Sequence, residues 1–294
     1  MKKTVIPFFL LALIGTAAHA QVRVVTTLQW IGSVAKDLGG DNVEVTSLVK
    51  SSQDPHMVEA KPSMILAVRK ADVLMYNGLD LEIGYLPVLI ESSRNANVQP
   101  GQAGNFDCSQ FVTVIERPLS VDRSMGDVHP LGNPHYQYSA AAIRRIAEGM
   151  TQRLSRLDPG NAALYARNLA AFREKLEAKR KEWSSLPLQG KRFVAYHKLF
   201  EYLAAEYGFR IVGYVEPKPG IPPSAGYIER LIDTITDTRP DGILTTPIYG
   251  RKEVQFLAEK TGVRSIVIPQ DVGAMPRTGD WFSMMDRTLN ALVR

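Results

Sequence analysis

The stretch Asp158–Ser185, DPGNAALYARNLAAFREKLEAKRKEWSS, divides this chain in two. Asp158 and Pro159 supply an N-cap followed by proline at the first helical position, a pairing that opens helices. After Gly160 there is neither proline nor glycine, and Leu164, Leu169, Phe172 and Leu176 recur three to five residues apart. One helix on the order of 40 Å long is therefore expected, at about 1.5 Å per residue. It falls in mid-chain, where it can only join the segments on its two sides.

On both sides, short β-rich runs alternate with helical ones. Before the helix, VRVVTTL (Val22 to Leu28), VEVTSLV (Val43 to Val49) and ADVLMYNG (Ala71 to Gly78) read as strands, separated by helical spacing at Ile31 to Leu38 and after Pro62. The third run is almost continuously apolar, the mark of a parallel strand covered on both faces. Asn95 to Asp107 is polar and Gly-rich and reads as loop; Phe111 to Ile115 reads as a further strand. After the helix, KRFVAYH, RIVGYV, DGILTTP and RSIVIP alternate with three helical segments, and a last helix runs from about Asp280. Strand and helix in alternation give βαβ units. The expected fold class is α/β: two lobes, each a mainly parallel sheet flanked by helices, joined by one long backbone helix. The expected boundaries are a leader at 1–20, an N-terminal lobe at 21–157, a linking helix at 158–187 and a C-terminal lobe at 188–294.

The leader has a basic start at Lys2 and Lys3, an apolar run from Val5 to Ile14 and a small-residue junction at Ala18-His19-Ala20. That is an export signal, too short for a membrane span of roughly 20 residues. Cys108 is the sole cysteine. It excludes an internal disulfide and a thiolate cluster, and with no cysteine at the junction the expectation is a periplasmic protein without a lipid anchor. The formal charge of +5 drops to +3 once Lys2 and Lys3 are removed with the leader, and the basic residues are scattered. A nucleic-acid partner would need a basic stripe. Stable membrane insertion is not expected either, and the chain is expected to be a monomer.

Four histidines remain beyond the leader: His56 in QDPHM, His129 and His135 in GDVHPLGNPHY, and His197 in KRFVAYH. His56 and His197 come after strands, where open α/β sheets bind ligands, and His135 leads from a loop into a helix. Asp271 lies two residues past RSIVIP. His56, His135, His197 and Asp271 would form a four-coordinate set of three imidazoles and a carboxylate, which suits Zn²⁺. His129 has two readings, as a ligand or as a turn residue behind His135. Asp271 too has a second reading, as a cap on its own loop. Asp54 and Glu59 read as surface charges.

The motifs DPHMVEAKPS, ADVLMYNGLDLE, GDVHPLGNPHY, FVAYHKLFEYLAAEYGF, GYVEPKPGIPPSAGYIERL and IPQDVGAMP, in this order and spacing, resemble the cluster A-I substrate-binding proteins of ABC importers for zinc and manganese. The resemblance runs from Gln21 to the end. It implies two lobes on a rigid helix, metal in the cleft, ligand roles for His56, His135 and His197, and a preference for zinc, because manganese-selective members carry a carboxylate at the third His. The usual Trp-Leu-Asp after the second ligand is replaced by Tyr136-Gln137-Tyr138, and the C-terminal carboxylate position varies, so Glu216 or a water is the substitute for Asp271.

The expected function is capture of Zn²⁺ as transported ligand and its delivery to an inner-membrane ABC permease, with a periplasmic metallochaperone as a further candidate partner. Neutral imidazole is required, so affinity should fall below about pH 6.5. Release would proceed by small shear or loop motion, given the long helix. The alternatives are a manganese or iron binding protein of the same type, or a secreted zinc hydrolase with Glu59 or Glu216 as base. The last lacks a His-Glu-x-x-His helix.

Overall fold

A computed structural model describes residues 21–118, 120, 129–218 and 220–294. The leader, and residues 126–128 of the histidine loop, lie outside them. The first half runs β1 (Val22–Thr26), α1 (Gln29–Gly39), β2 (Val43–Ser47), α2 (Pro62–Lys70), β3 (Val73–Tyr76), α3 (Leu86–Ser93), β4 (Asn105–Asp107) and α4 (Ala140–Leu157). Next comes the long helix α5 (Ala162–Ser184). The second half runs β5 (Arg192–Ala195), α6 (Glu201–Tyr207), β6 (Arg210–Tyr214), α7 (Ala225–Thr238), β7 (Gly242–Thr245), α8 (Arg251–Thr261), β8 (Ser265–Val267) and α9 (Trp281–Val293).

Each half builds one four-stranded sheet, in the orders β2-β1-β3-β4 and β6-β5-β7-β8, and every pairing is parallel. The two orders are the same permutation. In both, the carboxyl ends of the strands lead into the loops that carry the histidines.

Helix α5 buries Tyr165, Phe172, Leu176 and Trp183 and packs the half-buried Leu164 and Leu169 beside them. Asp158 pins its start by accepting hydrogen bonds from Asn161 (2.7 Å) and the Tyr165 hydroxyl (2.6 Å). Pro159–Asn161 form a 3-10 turn before the α-helix proper. Helix α9 returns from the C-terminal half to pack on α5 and α1, with Phe282 against Phe172 (centroids 5.1 Å apart) and Trp281 against Trp183 (5.8 Å). The Trp183 indole donates to Asp286 (2.8 Å). A single apolar cluster consequently runs through both halves, from Val24 and Leu74 to Phe193 and Leu244, while a smaller one lies beneath α7 and α8. Shared core of this kind resists wide hinge opening, because rotating the lobes apart would expose it.

One strand sits elsewhere than the sequence suggests. Phe111 closes a 3-10 turn, and Val112 to Ile115 are irregular; the strand is Asn105–Asp107, inside the polar stretch. It needs no apolar run, because its ladder comes from pairing with β3 at Leu74↔Asn105 and Tyr76↔Asp107, and Phe106 alone is buried. Phe111 instead stacks on Phe106 at 5.2 Å.

Candidate metal centre

His56, His129, His135 and His197 meet between the two sheets. Ring centroids lie 5.3 Å apart for His56 and His135, 4.9 Å for His56 and His129, 5.7 Å for His56 and His197, and 5.2 Å for His135 and His197. One ligand atom each from His56, His129 and His135 fall within 4.8 Å of one another. His197 Nε2 faces His135 Nε2 at 3.3 Å. Two nitrogens bound to one tetrahedral zinc at about 2.0–2.1 Å are separated by about 3.3 Å. The spacing already fits a shared ion.

Local sequence explains each placement. His56 lies in the turn Pro55–Met57, which Asp54 caps by accepting the His56 backbone N–H (3.0 Å). His135 is held by its neighbours: its N–H donates to Asn133 Oδ1 (2.9 Å), the Pro134 carbonyl accepts from Asn77 (3.0 Å), and Tyr202 donates to the Asn133 carbonyl (2.9 Å). Gly132, at φ +111°, is required there, since a Cβ would lie 2.3 Å from Val114 Cγ1. Behind this frame, buried Glu82 accepts from the Thr27 hydroxyl (2.6 Å) and from the backbone N–H of Asn77 (2.7 Å) and Gly78 (2.9 Å). Burial raises its carboxyl to about 7 against those bonds.

Two imidazoles have their tautomers fixed from behind. His197 Nδ1 contacts Glu216 Oε2 at 2.6 Å, so Nδ1 carries the proton and the Nε2 lone pair faces the cleft, the carboxylate–histidine arrangement of metal sites. Glu216 is thereby committed, its Oε1 accepting from Gly220 N–H (2.8 Å), and it orients His197 rather than joining the cluster. His129 bonds the Leu79 carbonyl, and its Nε2 is buried without a hydrogen-bond partner among the described residues. Desolvation first, then the neighbouring imidazoles, push His129 down to about 3 and His135 well below the ordinary value. These two rings thus stay neutral well below the expected limit of about pH 6.5.

Asp271 contributes no oxygen to the group of ligand atoms that lie within 4.8 Å of one another. Its Oδ2 accepts from Gln29 N–H (3.0 Å), and its Oδ1 accepts from the N–H groups of Trp30 (2.8 Å) and Val272 (2.7 Å). It caps α1, whose own N-cap residue is Leu28, which makes no side-chain cap. Burial raises its carboxyl to about 7 against those three backbone donors. A short-range reading could not find this cap, because the two partners lie 242 residues apart.

Tyr249 and Asp54 escaped the sequence reading. Tyr249 stacks on His197 (centroids 5.2 Å, 26°), and its hydroxyl bonds Asp54, the residue that caps the His56 turn. Asp54 is not a free surface charge: it joins the His56 loop to the loop after β7. Glu59 is exposed, as expected.

Comparison with known proteins supplies a family. The family model described as ZnuA, zinc-uptake complex component A, periplasmic, matches residues 24–294. The manganese ABC transporter substrate-binding lipoprotein PsaA of Streptococcus pneumoniae is 24% identical over 290 residues, 95% of this chain and 91% of that protein. The iron-binding protein YfeA of Yersinia pestis is 27% identical over 270 residues, covering 86% and 81%. A solved structure of a zinc-bound ZnuA deletion mutant superposes with a TM-score of 0.77 at 24% identity, over 93% of this chain and 97% of that one. PsaA is named for substrate binding in an ABC transporter and YfeA for binding iron. The expectation of a protein without a lipid anchor is overturned here, since PsaA and other curated relatives are named lipoproteins. That expectation rested on residues 1–20 alone, outside the described residues. No described helix is long and apolar enough to cross a membrane. With a family model matched from β1 to the last residue and the same two-sheet architecture, this chain belongs to the zinc-uptake complex component A family of metal ABC transporter substrate-binding proteins.

Proposed function

We propose that this chain captures Zn²⁺ between its lobes, taken as residues 21–157 and 188–294 about the linking segment 158–187, and delivers it in the periplasm to an inner-membrane ABC permease. The ligands are the imidazoles of His56, His129, His135 and His197, with His129 in the place expected for Asp271. The observation that carries this reading is the 3.3 Å approach of His135 Nε2 to His197 Nε2, beside the grouped nitrogens of His56 and His129. An all-imidazole set is borderline-soft and suits zinc; manganese favours carboxylate, carbonyl and water oxygens.

Four protein ligands leave no open position for a reacting water, which argues against the hydrolase reading. Manganese or iron binding remains the competing reading because PsaA and YfeA carry those metals in their names. Titration of metal-free protein with Zn²⁺, Mn²⁺ and Fe²⁺, with native mass spectrometry counting ions per chain, decides between them. One Zn²⁺ per monomer, bound at least about 100-fold more tightly than Mn²⁺, is the expected result, a difference of about 2.7 kcal/mol. Equal or tighter Mn²⁺ binding would overturn it. The same titration repeated with a candidate metallochaperone as zinc donor tests the second partner.

A further inference from the structure

The sheet of the C-terminal half ends on β8, whose outer edge is open. Among the described residues β8 pairs with β7 alone. Two bonds fix its facing: Ile243 N–H donates to the Arg264 carbonyl (2.9 Å), and Ile268 N–H donates to the Thr245 carbonyl (2.8 Å). In a parallel ladder alternate residues bond the same neighbour. Arg264, Ile266 and Ile268 therefore face β7, and Ser265 and Val267 turn their N–H and C=O groups outward, with no backbone partner among the described residues.

Those outward groups line a groove of about 470 Å³ whose other wall is α9. Arg277, Arg287 and Arg294 also line it and have no acidic partner among the described residues. Arg264 is engaged elsewhere, donating to the carbonyls of Asp241 (2.9 Å) and Leu292 (3.2 Å). The one acid on that wall, Asp286, is paired with Lys179 (2.9 Å) and accepts a hydrogen bond from the Trp183 indole (2.8 Å). The groove thus presents unused strand-pairing groups beside three guanidinium groups that form no ion pair among the described residues. None of the four histidines lines it.

We propose that this groove docks an extended acidic peptide segment of a partner protein, which adds to β8 as a fifth strand while its carboxylates meet Arg277, Arg287 and Arg294. Main-chain pairing at an open edge supplies affinity, and side chains on alternate residues supply selectivity. Guanidinium is suited to carboxylate because it bonds in a planar, two-pronged fashion. A second copy of this chain is the wrong occupant, since edge-to-edge pairing would bring the two sets of arginines together. The site is separate from the metal cleft, so it stands whichever metal is carried.

The test is fluorescence anisotropy with the full mature protein and a fluorescein-labelled peptide of alternating Thr and Glu. Three comparisons run beside it: a Thr-Lys peptide, the Thr-Glu peptide N-methylated at alternate residues, and vesicles of phosphatidylglycerol. The expected result is binding of the Thr-Glu peptide alone, weakened about tenfold or more by the double substitution Arg277→Ala/Arg287→Ala, which would correspond to about 1.4 kcal/mol. Val267→Pro, which removes an outward N–H and is tolerated on an edge strand, should abolish binding without loss of Tm. The N-methylated peptide gives the same answer with no change to the protein. The proposal is overturned by no binding at about 1 mM peptide, a Kd range equivalent to about 4 kcal/mol. It is equally overturned if the N-methylated peptide binds as well as the parent, or if the arginines bind vesicles while the peptide is ignored.

Discussion

The two halves of this molecule are built alike and equipped differently. Their sheets share one strand order, and both open their strand ends toward the cleft. Yet residues before α5 bring three imidazoles, His56, His129 and His135, on loops stiffened by Asp54, Gly132 and Asn133. Those after it bring one imidazole, His197, with two carboxylates that serve it and the fold: Glu216 behind the ring and Asp271 at the N-terminus of α1. Repetition of an α/β scaffold fixes where a ligand sits; the loops decide what is bound.

The comparison breaks most visibly at His135. His135→Ala should weaken zinc binding by more than about 100-fold, beyond the 10–100-fold typical of outer partners, as measured by competition with a chelator. Acid acts on the same half. Because burial holds His129 at about 3, below the ordinary 6.5, the unfolded chain takes up protons between those values that the folded chain refuses. Metal-free protein should therefore lose stability as pH falls through that window, His135 adding to the loss in the same direction, and zinc should restore it. Urea titrations at a series of pH values, with and without zinc, would register this.

Substitutions in the second half sharpen the contrast. Asp271→Ala should cost about 1–3 kcal/mol of stability by uncapping α1, yet leave zinc affinity within a factor of about two. A ligand lost at that position would instead show in affinity first. Glu216→Gln should lower zinc affinity about 10–100-fold with little change in Tm, since it disturbs only the orientation and basicity of His197. Tyr249→Phe removes the bond to Asp54 and costs about 1 kcal/mol, seen as zinc dissociation a few-fold faster in stopped flow.

Much of this was legible from residue order. The apolar run of β3 and the prolines around His56 and His135 each state a local preference that packing then confirms, and the α5 stripe was legible in part: Phe172 and Leu176 are buried, with Tyr165 and Trp183 in place of the half-buried Leu164 and Leu169. What escaped is non-local. β4 owes its existence to pairing with β3 and has no pattern of its own. Asp271 reads as a ligand from its place after β8, whereas its bonds to the N-terminus of α1 are visible only in the folded chain. His129 was ambiguous because a His-Pro turn has no periodicity, whereas the bond to Leu79 and its buried Nε2 are tertiary facts. Tyr249 carried no signal beyond an aromatic residue in a Pro- and Gly-bounded loop.

The most direct measurement is anomalous diffraction at the zinc edge from crystals of the singly loaded protein. A single peak is expected between the lobes, about 2.0–2.1 Å from one ring nitrogen each of His56, His129, His135 and His197, with Asp271 still on the α1 N-terminus. A peak bonded to an Asp271 oxygen, with His129 turned away, would contradict the assignment.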